Sequence, residues 1–212
     1  MEKQKAIQQI MNAAPVIPVV TIANVSQAIG LARALVAGGL PAIEVTLRTP
    51  QAIDAIKAIG EEVDGAIVGA GTVLDRKQVE AVERAGARFM VSPGFSAKLL
   101  AAAKQSAIPL LPGISSASEA MQLGELGYQY LKFFPAGPAG GPDFIKAIGA
   151  PLPHFKFCPT GGVNLANALD YLDLSNVLCV GGSWVAPANL VEAGEWNAIT
   201  DLAREACALK RG

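Results

Sequence analysis

Lys132 stands in the apolar run 128–134, flanked by Leu131 and Phe133 with Phe134 beyond. A lysine in such surroundings must snorkel to water, pair with a carboxylate, or do chemistry. Desolvation disfavours a charged amine, and a neutral amine is a nucleophile whose natural targets are carbonyl carbons. Two readings of Lys132 therefore stand, a nucleophile toward a carbonyl and an ordinary ion pair with a strand-end carboxylate. Phe134 shares the parity of Lys132 and can wall a pocket that keeps the amine dry. A second charged set ends the run 40–47, where Glu44, Thr46 and Arg48 alternate with Val45 and Leu47. If extension continues, the first three share one face. Glu44 and Arg48 are then either paired with each other or aimed into a site, because burying charge without a purpose is costly.

Small residues end the other apolar runs. GAGT at 69–72, SPG at 92–94 and PGIS at 112–115 leave open space at strand ends. Turn chemistry accounts for most of them. Thr72 is the candidate ligand among them, since its hydroxyl both donates and accepts. Further on, TGG at 160–162 and GGS at 181–183 put two glycine pairs after two consecutive runs. Glycine lets the backbone approach an anion, and N–H groups at a helix start then point at it. The pairs read as a phosphate site, with two plain glycine turns as the alternative.

Other chemistries find little support. His154 is the only histidine, so a Cys-His or Ser-His-Asp arrangement has one candidate at most. No cluster has metal-ligand spacing, so neither a catalytic metal nor a cofactor is expected. Cys158, Cys179 and Cys207 are odd in number and widely spaced, and read as reduced thiols in a reducing compartment.

These residues need a frame that brings strand ends together. Eight short apolar runs are legible, at 16–22, 40–47, 66–70, 88–92, 108–112, 128–134, 155–158 and 177–180. They read as buried strands. Helical patterns lie between them, with expected N-caps at Ser26, Thr49, Asp75, Ser96, Ser116 or Ser118, and Asn164. A short helix is expected from Asp143, a last one over 195–209, and an extra N-terminal one over 3–12. Eight β-then-α units in sequence predict an α/β fold, a (β/α)8 TIM barrel with an extra N-terminal helix. Its site would lie at the C-terminal ends of the strands, with phosphate after the seventh and eighth. An open dinucleotide fold is the rival, but no Gly-x-Gly-x-x-Gly follows the first strand.

The 212 residues suffice for one domain, taken as 1–212 without a linker. Apolar residues make up 51% and charged residues 17%, so either both sheet faces are buried or another subunit covers part of the surface. A net charge of -1 without a basic block argues against nucleic acid. The uncharged stretch 6–32 carries too many polar residues and prolines to span a membrane, and the opening residues lack a signal-peptide pattern. A cytoplasmic, soluble protein is expected.

Seven segments together resemble the 2-keto-3-deoxy-6-phosphogluconate (KDPG) and 4-hydroxy-2-oxoglutarate (KHG) aldolases. They are IEVTLRT at 43–49, VGAGTVL at 68–74, SPG at 92–94, LPGIS at 111–115, KFFPA at 132–136, FCPTGG at 157–162 and VGGSW at 180–184. The resemblance runs from about residue 10 to about residue 206. It implies a metal-independent class I aldolase on a (β/α)8 barrel, assembled as a homotrimer and acting on a phosphorylated keto acid to release pyruvate. It also implies that Lys132 forms the Schiff base and Glu44 is the general acid/base. Arg48 would hold the substrate carboxylate, and Thr72, Phe134 and Pro93 would lie around the pyruvate moiety. Gly161, Gly162 and Ser183 would bind phosphate, with Thr160 beside them. The loop 137–142 matches less well, which leaves the pocket rim open. Three other readings stand: an aldolase for the C4-epimeric phosphogalactonate, a phosphosugar epimerase or isomerase, and a phosphate-ligand binding protein. The epimerase would need paired acids or a metal at the mouth, and the binding protein would leave the buried lysine without a purpose.

Overall fold

Alternation of apolar residues with period two builds this fold's strands, and each strand serves two layers. In β1 (Val16–Val20), β2 (Ala42–Thr46) and β3 (Ile67–Gly71), residues such as Val16, Ile43 and Val68 pack outward beneath helices. Ile17, Ala42 and Ile67 face the opposite way, into a second apolar cluster. The same division holds in β4 (Met90–Val91), β5 (Leu110–Leu111), β6 (Gly113–Ile114), β7 (Tyr130–Phe133), β8 (Lys156–Pro159) and β9 (Val180–Gly182). There Met90, Leu110, Ile114, Leu131 and Phe157 face outward, while Val91, Leu111, Tyr130 and Cys158 face inward. The structure, a computed structural model, describes residues 2–209; residue 1 and residues 210–212, the ends of the expected domain, lie outside the described residues.

All strand pairs are parallel. They form a curled six-stranded sheet in the order β5-β4-β3-β2-β1-β9 and a three-stranded sheet in the order β6-β7-β8. Among the described residues the eight expected runs thus become nine strands. The fifth run splits into β5 and β6 at Pro112, which has no N–H to offer a ladder. The eighth run shifts: β9 begins at Val180, and Val177 keeps only an isolated bridge to Phe157. A second isolated bridge joins Thr160 to Gly181.

The helices between the strands start as side-chain chemistry directs. Asp75, Ser96 and Ser116 cap α4 (Arg76–Arg84), α5 (Ala97–Gln105) and α6 (Ala117–Glu125), each accepting from the N–H three residues on. Three expected caps are corrected. Asn24, not Ser26, caps α2 (Val25–Ala37), because the asparagine side chain accepts from Ser26 N. Thr49 does not cap α3 (Ala52–Glu62); its hydroxyl donates to Ile22 O at 2.6 Å and ties the β2 loop to β1. Asn164 opens a turn, and α8 (Ala168–Leu172) begins after Asn167. The helix expected from Asp143 is α7 (Gly141–Gly149), with Asp143 in its first turn. A short α9 (Ala188–Ala193) was not expected, and α10 (Trp196–Cys207) ends the described chain.

The extra N-terminal helix is α1 (Glu2–Met11). Its Ile7, Ile10 and Met11 join the inward-facing cluster with Ile17, Ala42 and Tyr130, so α1 covers one end of the space the sheet curls around. Lys3 fastens it by donating to the carbonyls of Ala103, Lys104 and Ser106 at the end of α5. Burial pushes the Lys3 amine below the ordinary lysine range, against the charge of Glu83.

At the start of α6, Glu119 closes a capping box. Its carboxylate accepts from Ser115 N at 2.7 Å and from both Ser115 and Ser116 hydroxyls. Partial burial pushes its carboxyl up, but these hydrogen bonds outweigh it and hold the group below the ordinary 4.5. A depressed carboxyl contributes stability that is complete above its unfolded value and is lost as pH falls through the folded one. Glu119→Ala is therefore expected to lower the Tm at pH 7, with the gap to wild type narrowing in melts at about pH 3.

Candidate active site

The strand alternation carries Lys132 inward between the outward-facing Leu131 and Phe133. Phe133 stacks flat on Phe144 of α7, with centroids 4.9 Å apart, and so fixes the strand beneath the lysine. Lys132 is 5% exposed and Glu44 of β2 is 3% exposed. Their Nζ and Oε1 atoms lie 3.2 Å apart across the interior. Both readings of Lys132 meet here, because the carboxylate it pairs with is Glu44. Glu44 pairs with no arginine: Arg48 lies exposed in the turn after β2 and makes no ion pair among the described residues. β2 ends at Thr46, so the alternation that would have kept Arg48 on the Glu44 face stops two residues short of it.

Glycines make the room for this pair. A Cβ on Gly71, the last residue of β3, would stand 2.2 Å from Glu44 Oε1 and 2.6 Å from its Cγ. Gly113 is the register partner of Lys132. A Cβ there would meet Pro93 O at 2.3 Å, so the loop carrying Pro93 rests against the strand beside the lysine. Ser92 in that loop is fully buried, and among the described residues its Oγ alone is a buried side-chain polar atom without a hydrogen-bond partner. Thr72 follows Gly71, half-buried, with φ 61°, a left-handed conformation that no other non-glycine described residue adopts.

On the other side Phe134 is half-buried, with its ring centroid 5.4 Å from Lys132 Nζ. The same ring lies 3.2 Å from where a Cβ on Gly161 would stand. Phe134 thus connects the lysine to the glycine loop. Thr160 is buried against Gly181, whose missing Cβ would fall 2.3 Å from Thr160 Oγ1. Gly161 and Gly162 have φ of 96° and 80°, which a side chain would strain. Asn167, which the sequence reading did not single out, holds this turn by donating to Gly162 O at 2.9 Å.

Ser183 is exposed just after β9 and lines a cavity of about 310 Å³ between β1, α2 and α9. Thr21, Gln27 and Glu192 also line it, and none of these three was singled out from sequence. Thr46, buried beside Glu44's strand position, contacts Thr21 Oγ1 at 2.9 Å. The interior parity of Thr46 was legible in sequence; its partner was not.

Elsewhere, Cys158 and Cys179 are buried in the inward-facing cluster, while His154 is exposed beside Phe155. Among the described residues no group of three or more His, Cys, Asp or Glu is placed to hold a metal, and no helix is long and apolar enough to cross a membrane.

A buried amine beside a buried carboxylate, under an aromatic ring and next to two anion-suited loops, can form an imine with a carbonyl and move a proton nearby. Comparison with known proteins gives the same direction. Residues 7–202 match the family described as KDPG and KHG aldolase. The chain is 53% identical over 201 residues to the 2-dehydro-3-deoxy-phosphogluconate aldolase of Pseudoalteromonas atlantica, covering 95% of this chain and 94% of that protein. It is 51% identical over 199 residues to the KHG/KDPG aldolase of Escherichia coli K12, covering 94% and 93%. A solved KDPG aldolase from Legionella pneumophila, with pyruvate captured as a covalent carbinolamine intermediate, superposes with a TM-score of 0.93 at 46% identity, covering 95% and 98%.

Proposed function

The chain belongs to the KDPG and KHG aldolase family, and from that premise we propose that it cleaves 2-dehydro-3-deoxy-6-phosphogluconate to pyruvate and glyceraldehyde 3-phosphate on Lys132. 4-Hydroxy-2-oxoglutarate, giving pyruvate and glyoxylate, is the second substrate. The protein is a class I aldolase, a carbon–carbon lyase. The observation that carries the assignment of residues is the buried Lys132–Glu44 pair at 3.2 Å. An ion pair hidden this deeply costs desolvation, and replacing it by apolar residues would often be neutral or better. A catalytic use accounts for keeping it.

In this reading Lys132 Nζ adds to C2 of the keto acid, and loss of water leaves an iminium ion. That cation draws electrons from the C3–C4 bond. Glu44, directly or through a water, takes the proton of the C4 hydroxyl as the bond breaks and the aldehyde departs. The enamine left on Lys132 is protonated at C3, and water then releases pyruvate and the free lysine. Arg48 holds the substrate carboxylate in a bidentate fork. To do so its exposed side chain must swing in from the turn after β2. Thr72, Pro93 and Phe134 wall the pyruvate half, and Thr160, Gly161, Gly162 and Ser183 take the phosphate end. The covalent lysine supplies the electron sink, so the reading needs no separate cofactor.

The curled sheet is read as a closed (β/α)8 ring in one domain. Two features support closure: β5 and β6 are continuous through Pro112, and the bridges Phe157–Val177 and Thr160–Gly181 lead from β8 toward β9. Homotrimeric assembly rests on the family resemblance, and a cytoplasmic setting on the reading of the three cysteines as reduced thiols. The alternative to the phosphogluconate is its C4 epimer, the phosphogalactonate, since both epimers present the same C2 carbonyl to Lys132.

Borohydride reduction in the presence of pyruvate tests the assignment. Mass spectrometry is expected to find one reduced pyruvyl adduct, on Lys132. An adduct on another lysine, or none, would overturn it.

A further inference from the structure

The cavity beside Ser183 has a chemical bias set by a hydroxyl chain at its wall. Val19 of β1 is the register partner of Glu44, so the cavity begins one strand away from the catalytic pair. Thr21 follows two residues on, exposed to the cavity mouth, and its Oγ1 lies 2.9 Å from Thr46 Oγ1. A threonine hydroxyl has one proton to donate and two lone pairs. Thr46 spends its proton on Val20 O at 3.1 Å. The contact between the two threonines is therefore made by Thr21 donating. With both of these bonds made, Thr21 Oγ1 has lone pairs to offer and accepts from a ligand. Glu192, also on the wall, is acceptor-only when ionised. Among the described residues, no lysine, arginine or histidine lines the cavity. Its volume of about 310 Å³ is at the lower end for small-molecule sites. Beside Thr21 and Glu192 the wall therefore suits a neutral group bearing an O–H donor, while the donors Gln27 and Ser183 line other parts of it.

Building on the aldolase reading, we propose that Thr21 is a specificity-determining residue, accepting a hydrogen bond from a hydroxyl of the aldehyde half while the phosphate end lies at the Gly161–Gly162 loop. The fixed direction of the Thr21–Thr46–Val20 chain makes the site sense a donor at this position.

The test uses Thr21→Val, which keeps shape and removes the hydroxyl. Thr46 keeps its bond to Val20 O, so nothing buried is orphaned. Pyruvate addition is measured with two acceptors, glyceraldehyde and propanal, and the ratio of their kcat/KM values is compared with wild type. The ratio is expected to fall about fivefold, the worth of one neutral hydrogen bond, and to recover in Thr21→Ser. A ratio that stays within twofold, or an equal loss on both acceptors, would overturn the role of Thr21. Pyruvate-dependent borohydride labelling of Lys132 in the same wild-type preparation separates the two levels. Labelling with an unchanged ratio rejects only Thr21 as the acceptor, whereas absent labelling rejects the aldolase reading beneath it.

Discussion

Lys132→Met is expected to abolish cleavage, with kcat lower by on the order of 10⁴-fold or more, because the covalent electron sink disappears with the amine. Methionine nearly matches the length of the aliphatic stem, so the interior stays filled. What it cannot do is neutralise Glu44, which is 3% exposed and, among the described residues, has its salt bridge to this lysine alone. Removing one partner of a buried pair costs about 3 kcal/mol or more, a fall in Tm on the order of 10 °C for a chain of this size. Adding Glu44→Leu removes the stranded carboxylate as well. The double variant is expected to regain the lost stability while staying inactive, since apolar replacement of a whole buried pair is often neutral or stabilising. Steady-state pyruvate release and thermal melts of the two variants check both halves. Appreciable turnover in Lys132→Met would remove the lysine from the chemistry altogether.

The second large effect is expected from a residue with no functional group. Gly71→Ala inserts a Cβ where Glu44 Oε1 and Cγ already stand, at 2.2 and 2.6 Å. The glycine is not in the left-handed region, so the new side chain acts by contact and not by backbone strain. The carboxylate must swing away from Lys132, and proton transfer at C4 suffers. A loss of general acid–base help typically costs about 10²- to 10⁴-fold in rate. Lys132 itself is untouched, so borohydride labelling with pyruvate is expected to persist while cleavage falls by that factor. Near wild-type cleavage would show that Glu44 has freedom the packing around it does not suggest, and would move the proton-transfer role elsewhere.

The interior face was readable where alternation is sustained. Glu44 and Thr46 fall on it because a period of two holds whatever the strand's exact ends are. Lys132 was readable because a charge between Leu131 and Phe133 is conspicuous against its surroundings. Arg48 shows where the same reasoning lapses: once β2 ends at Thr46 and the chain turns, parity carries no information. Caps were readable where a side-chain oxygen precedes by three residues the N–H that donates to it, as at Asp75, Ser96 and Ser116. Thr49 misled because its hydroxyl found a carbonyl in the segment just after β1 instead. The contribution of Gly71 was not readable, since the value of a missing Cβ depends on what folds against it from another strand. The direction of the Thr21–Thr46–Val20 chain was hidden for a similar reason, because it depends on atoms brought together from two strands.

The seating of α1 bears on the order of events. Ile7, Ile10 and Met11 fill the interior at the end where the strands begin, and Lys3 bolts the helix to α5. Traffic is left to the opposite end. On the proposed mechanism the keto acid sits inward, joined to Lys132, and the aldehyde half lies between it and solvent. During cleavage the aldehyde must leave first and pyruvate second; during synthesis pyruvate must load before the aldehyde arrives. The proposed covalent chemistry sets a compulsory order, and α1, by closing the other end, reinforces it without touching either reactant.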